Sequence, residues 1–196
     1  MAETRELIIE SPTHGRVVVL YDADDEEKIL AHRWCVIQRV IHGHLGHLYV
    51  STGIPHPDGE WYYPPGGGRR RRRRTTLQLH RLIMNTPKGM HTDHINGDTL
   101  DNRKENLRVA TREENGRNRG KARTNTSGFK GVVYVKKKKD MINELSKPWQ
   151  AQVKHNGKYI YLGMFATPEE AGKAYDDKAK ELWNIVGPRM LNFPNE

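Results

Sequence analysis

Fourteen consecutive residues, NGRNRGKARTNTSG at positions 115–128, hold a single apolar side chain, Ala122, among four Lys or Arg. A stretch with nothing to bury cannot run through a core, so the chain must build separate cores on either side of it. A two-module chain follows: residues 1–120, a basic linker at 121–126, and residues 127–196. A second break lies at Pro55 to Thr76, PHPDGEWYYPPGGGRRRRRRTT, where Pro, Gly and a block of like charges argue for a flexible loop. The first module then has its motif-bearing part at 76–120.

Charge is not spread evenly along the chain. The net charge is +9, yet residues 1–60 carry 5 basic and 10 acidic side chains, while 61–196 carry 28 and 14. A polyanionic partner would therefore meet the C-terminal two-thirds. Hydrophobic residues make up 35% of the chain, which favours small cores over one large one. The one cysteine, Cys35, removes disulfide frameworks and cysteine-rich zinc centres, and reads as a small buried apolar residue in a reducing compartment. No apolar run is long enough to span a bilayer, and MAETRELIIE lacks the basic and apolar regions of a signal peptide. A soluble, cytoplasmic protein with no membrane partner is expected.

Locally, ELIIE, GRVVVLYD and HLYVSTG read as strands, and Asp22 to His32 as a helix with acids at its start. In the second module WQAQVK alternates apolar and polar residues, and Asn156-Gly157 supplies a two-residue turn. This register sets Val153 against Ile160 and Ala151 against Leu162, with Gln152, Lys154, Tyr159 and Tyr161 on the other face. TPEEAGKAYDDKAKELW predicts a helix with Thr167 as N-cap, Pro168 at the first helical position and Glu170 completing a capping box. Its stripe of Ala171, Ala174, Tyr175, Ala179, Leu182 and Trp183 would cover the apolar hairpin face. That leaves the Gln, Lys and Tyr face open, either to solvent or to nucleic acid. The fold class expected is α+β.

The six arginines Arg69, Arg70, Arg71, Arg72, Arg73 and Arg74 repel one another, so they stay solvated or sit on phosphates. Nuclear-localisation and heparin-type readings fit the same string. A second basic run occupies Lys136 to Lys139.

The polar residues of HTDHINGDTLDNRKENLRVATREEN, 91–115, are the wrong kind for a core. INGD reads as a turn after a short strand, and NLRVATREEN can form a helix with Asn106 and Asn115 at its ends. Asp93 and Asn115 carry the hard oxygen donors a divalent cation prefers, and a neutral His94 can take a proton from water.

At this point the sequence resembles a family. TDHINGDTLDNRKENLRVATREEN, with LHRLIM before it, looks like the ββα-metal motif of HNH homing endonucleases of the phage and group I intron type. The resemblance implies Asp93 and Asn115 as ligands of Mg²⁺ or Mn²⁺, His94 as the base that activates water, and Asn106 as the residue holding loop and histidine in position. His80 would approach the scissile phosphate or pack, and Arg81 beside it joins the expected DNA contacts. RVVVLYDADDEEKILAHRW is similar to the leader of this group.

SGFKGV, WQAQV, YIYLGMF, AYD and LNFP in the second module resemble the Apetala/ethylene-response-factor DNA-binding domain. That family lays a three-stranded sheet packed on one helix in the major groove. By position this implies contacts from Lys130, Gln152, Lys154, Tyr159 and Tyr161. The chain departs from the pattern at Val133 and Val135, where plant members carry contact arginines, and in its longer KKKKDMINELSKP connection. Together the resemblances imply a monomeric, metal-dependent endonuclease acting on double-stranded DNA. A non-catalytic DNA-binding regulator and an RNA-processing protein are the competing readings.

Overall fold

The computed structural model describes residues 2–41, 44–136 and 146–195. Most of the expected run at Lys136 to Lys139 lies outside them. The described residues divide into two compact units, one of residues 1–94 and 98–111, the other of 95–97 and 112–196. Among them no helix is long and apolar enough to cross a membrane.

In the first unit β1 (Thr4–Ser11) and β2 (Gly15–Asp22) form an antiparallel hairpin. The expected helix after it is short: a 3-10 turn leads into α1 (Glu26–Leu30). β3 (Cys35–Ile41), β4 (His44–Pro55) and β7 (Arg74–Gln78) form a second sheet in that order. The core comprises Ile9, Val17, Val19, Tyr21, Ile29, Val50, Leu79, Ile83 and Leu107. Leu79 and Ile83 come from α2 (Leu79–Ile83), within the LHRLIM segment. The β1–β2 apolar face and α2 thus meet in one core.

Cys35 corrects its expectation. It begins the edge strand β3 and is exposed, with Sγ donating to the Ser51 carbonyl at 3.1 Å. The arginine stretch also differs, because β5 (Trp61–Tyr62) pairs with β6 (Arg71–Arg72) and Arg74 starts β7. What composition marks as loop is partly laddered, since a backbone hydrogen bond takes no account of like-charged side chains that still reach water.

The second unit contains β10 (Val132–Tyr134), β11 (Trp149–His155) and β12 (Lys158–Phe165) in one antiparallel sheet, and α4 (Pro168–Leu182). Asn156 and Gly157, both at positive φ (49° and 78°), make the expected two-residue turn. Val153 faces Ile160 as expected, but a bulge after Ala151 sets Ala151 against Gly163 and not Leu162. Thr167 accepts from the Glu170 N–H at 3.2 Å, while Glu170 returns to the N–H of Ala166, one residue before the cap. Val132, Ala151 and Ala171 form one buried cluster; Val153, Tyr175, Ala179, Trp183 and Met190 form another.

Close approach of α4 to the sheet depends on Gly131, whose φ is +70°. A Cβ there would overlap both the Tyr175 ring and the Gln152 carbonyl oxygen. Gly131→Ala should therefore destabilise this unit by about 2–4 kcal/mol, combining backbone strain with overpacking. Urea unfolding followed by tryptophan fluorescence measures it, and a change under about 0.5 kcal/mol would contradict the packing described.

Candidate active site

β8 (His91–His94) and β9 (Leu107–Ala110) pair antiparallel, with Asp93 opposite Arg108 and His94 opposite Leu107. The expected single helix over 106–115 is therefore corrected. Lys104–Asn106 is a 3-10 turn, the LRVA stretch is a strand, and the helix α3 begins only at Arg112 and ends at Arg117. Asn115 lies on α3 and is half-buried, in the second unit.

Asp93 and His94 are both buried. As a directly opposed cross-strand pair, Asp93 and Arg108 meet: Oδ2 accepts from Nε at 3.0 Å and from Nη2 at 2.8 Å. His94 meets a loop that returns from the turn after β8. The loop is tied to β2, since the Leu20 N–H donates to the Leu100 carbonyl at 2.9 Å and the Asn102 N–H to the Leu20 carbonyl at 2.8 Å. Two residues on, the Lys104 N–H donates to Asp22 Oδ2 at 2.7 Å. Lys104 Nζ reaches the buried Asp25 carboxylate at 2.8 Å, with Lys28 at 2.9 Å on its other oxygen. Burial would raise the Asp25 carboxyl, but these two ammonium groups hold it below its ordinary value.

Asn106 closes the same loop from inside, its amide donating to the carbonyl of Asp101 at 2.8 Å and of Asp98 at 3.5 Å. Asn102, 1% exposed, is a residue that sequence reasoning missed. Its Oδ1 lies 3.4 Å from His94 Nε2 and its Nδ2 donates to the Thr99 carbonyl at 3.4 Å. The second contact orients the amide with its oxygen toward the imidazole, an arrangement that suits the tautomer with the hydrogen on Nε2. The lone pair that could accept a proton is then on Nδ1. In sequence, Asn102 reads as one more turn former within TLDN, and no periodic signal separates it from its neighbours.

The His80 ring, from α2, stands edge-on to His94 with centroids 5.1 Å apart, and Tyr49 flanks it at 5.9 Å. Burial, together with the charges of His94, Arg81 and Arg39, pushes His80 down to about 3. Burial also lowers His94 below its ordinary value, against the raising pull of Asn102, Asp93, Asp98 and Asp101. Both rings are neutral at pH 7.

Two of the residues expected to contact DNA hold carbonyls of the chain itself. Arg81 commits its guanidinium to the carbonyls of Met90, Thr86 and Pro87 at 2.9, 3.2 and 3.3 Å, bracing the loop after α2. Lys130 turns inward, donating to the carbonyls of Arg117, Arg189 and Met190, and burial lowers it to about 8. A buried ammonium needs such acceptors, so Lys130 clamps the unit and does not stand on the open sheet face. Gln152 is half-buried on that face, while Lys154, Tyr159 and Tyr161 are exposed, with Lys154 Nζ 5.4 Å from the Tyr159 ring centroid. Arg69 to Arg74 are all exposed.

Because His80 resists protonation in the folded state, acid favours the unfolded chain. Between pH 6.5 and about 3 the unfolded chain binds a proton at His80 that the folded chain excludes, which costs up to ~1.4 kcal/mol per pH unit. Above pH 6.5 this residue contributes no slope. Urea midpoints at pH 7, 6 and 5 should fall more steeply for the wild type than for His80→Gln. Parallel pH profiles would contradict the burial argument.

Residues 79–117 match the HNH endonuclease family, a span that includes His80, Asp93, His94, Asn106 and Asn115. A protein described as an uncharacterized HNH endonuclease from Acanthamoeba polyphaga mimivirus is 27% identical over 141 residues, 68% of each chain. Protein 3.8 of Escherichia phage T7 is 42% identical over 52 residues, 26% of this chain, and the match spans less than half of that protein, 43%. No solved structure matches. Residues 79–117 thus form an HNH endonuclease domain with a distant viral relative, and the family points to DNA endonuclease activity dependent on a divalent metal.

Proposed function

We propose that the chain is a homing-type DNA endonuclease that hydrolyses phosphodiester bonds at a site recognised by residues 127–196. The observation that carries the reading is a neutral, buried His94, oriented by Asn102 and adjacent to Asp93, inside the matched HNH segment. His94 Nδ1 takes a proton from a water as the water oxygen bonds to phosphorus. The bond to the leaving 3′ oxygen breaks, leaving a 5′ phosphate and a 3′ hydroxyl after proton uptake from solvent. Asn102 prevents the imidazole from rotating its lone pair away, and Asn106 prevents the loop that carries Asn102 from shifting.

Asp93 and Asn115 are the residues proposed to hold Mg²⁺ or Mn²⁺. A carboxylate fixed by Arg108 and an amide oxygen are hard donors that fit such an ion. Among the described residues no three His, Cys, Asp or Glu side chains converge on a metal position. A cation here would thus rely on few protein ligands, the usual habit of Mg²⁺. When bound, it supplies electrostatic stabilisation of the charge that develops on the phosphate.

Recognition is assigned to the open face of the β10–β11–β12 sheet, as in the Apetala/ethylene-response-factor type. Support comes from the register, which places Lys154 opposite Tyr159 and Gln152 opposite Tyr161. The chain acts on double-stranded DNA as a monomer, and arginines 69–74 add contacts to the backbone.

Purified protein should nick or linearise plasmid carrying a target site in Mg²⁺ and lose this activity in excess EDTA. His94→Ala should retain DNA affinity within about twofold and cut at least ~100-fold more slowly, the scale of a lost general base. Cleavage by His94→Ala at the wild-type rate would overturn the assignment of the base. Full activity in EDTA would overturn the metal.

A further inference from the structure

We propose that the β5–β6 hairpin is a stacking platform for unpaired DNA bases. The surface is ordered and not merely basic. Trp61 pairs across the ladder with Arg72, and Tyr62 with Arg71. Further backbone bonds extend the hairpin, from the N–H of Arg73 to the Glu60 carbonyl at 2.7 Å and from the N–H of His56 to the Arg73 carbonyl at 2.8 Å. Each face of the ladder therefore carries one ring beside one cation, Trp61 with Arg72 on one side and Tyr62 with Arg71 on the other.

Trp61, Tyr62 and Tyr63 are 52%, 44% and 72% exposed, three successive large rings left in water. Arg70 lies over the Trp61 ring at 5.5 Å. The arginines differ in what they already hold. Arg73 faces Asp58 at 3.8 Å and Glu60 at 3.6 Å, and Arg74 donates to the Gly53 carbonyl. Among the described residues Arg69, Arg70, Arg71 and Arg72 have no carboxylate partner, which leaves them for phosphates. Trp61, Tyr62 and the arginines from Arg71 to Arg74, with Glu60 and Pro55, line an open hollow of about 870 Å³.

Phosphate binding alone needs only the cations. Duplex DNA keeps its base faces stacked and offers an exposed aromatic ring little to cover, whereas unpaired bases offer a π-face each. Alternating rings and cations suit a single-stranded stretch, whose backbone meets the arginines while its bases lie on the rings. The inference rests on the DNA reading above but not on catalysis.

The test uses the full chain in EDTA and three fluorescent DNAs of one sequence: a single strand, a blunt duplex, and a duplex opened over about 6 nucleotides, within the span one site covers. The wild type should prefer the single strand and the opened duplex. Trp61→Ala and Tyr62→Ala should each weaken these two by roughly 5- to 100-fold and leave the blunt duplex within about twofold, the scale of one lost base stack. Trp61→Phe should restore most of the affinity. Single-stranded DNA should quench wild-type tryptophan fluorescence more than that of Trp61→Ala. Equal losses on all three DNAs, or none, would overturn the proposal, as would tighter binding to RNA of the same sequence. Cleavage is read separately, so an inactive protein that keeps this preference would refute the nuclease assignment and not the platform.

Discussion

The backbone exchange between Leu20 and the segment from Leu100 to Asn102 holds in place the loop that faces His94. It fastens a loop, which would otherwise be a run of turn formers, to a strand whose apolar side chains lie in the core. Charge then reinforces the attachment, through Asp22 on the Lys104 N–H and through the buried Asp25 on the Lys104 ammonium. With the loop fixed, Asn106 can close it from within, and Asn102 can reach the imidazole. A ring held this way pays its ordering cost when the chain folds and not when a ligand binds.

The electrostatics of the site balance burial against carboxylates. Desolvation lowers His94, while Asp93, Asp98 and Asp101 pull the other way. Arg108 on Asp93 and the paired contacts of Arg103 with Asp101, both at 2.8 Å, temper that pull. The neighbouring His80 lacks such support and falls further. Its neutral ring packs edge-on against His94 without adding a competing charge.

Legibility in the sequence followed the range of the interactions involved. The β11–β12 hairpin was readable because Asn156-Gly157 dictates its turn locally, and α4 because Thr167, Pro168 and Glu170 mark its start. The bulge after Ala151 was not, since it answers to packing across the sheet. β3 and β9 escaped because CVIQRVI and LRVA lack turn signals that would separate strand from helix. At the candidate site, Asp93, His94, Asn106 and Asn115 stand out in the sequence as residue types at a familiar spacing. The support is not: Lys130 reaches carbonyls near the far end of the chain, while Asn102 and Arg81 close short irregular loops that no periodic pattern marks.

The central claim is that a loop tied to β2 presents His94 as an oriented, neutral base, with Asn102 as the contact between them. Single-turnover cleavage by Asn102→Ala, with folding checked by circular dichroism and DNA affinity measured in parallel, tests it most directly. The account predicts cleavage slowed by about tenfold or more with affinity unchanged, as expected when a base is present but poorly oriented. A folded Asn102→Ala protein that cuts at the wild-type rate would contradict it.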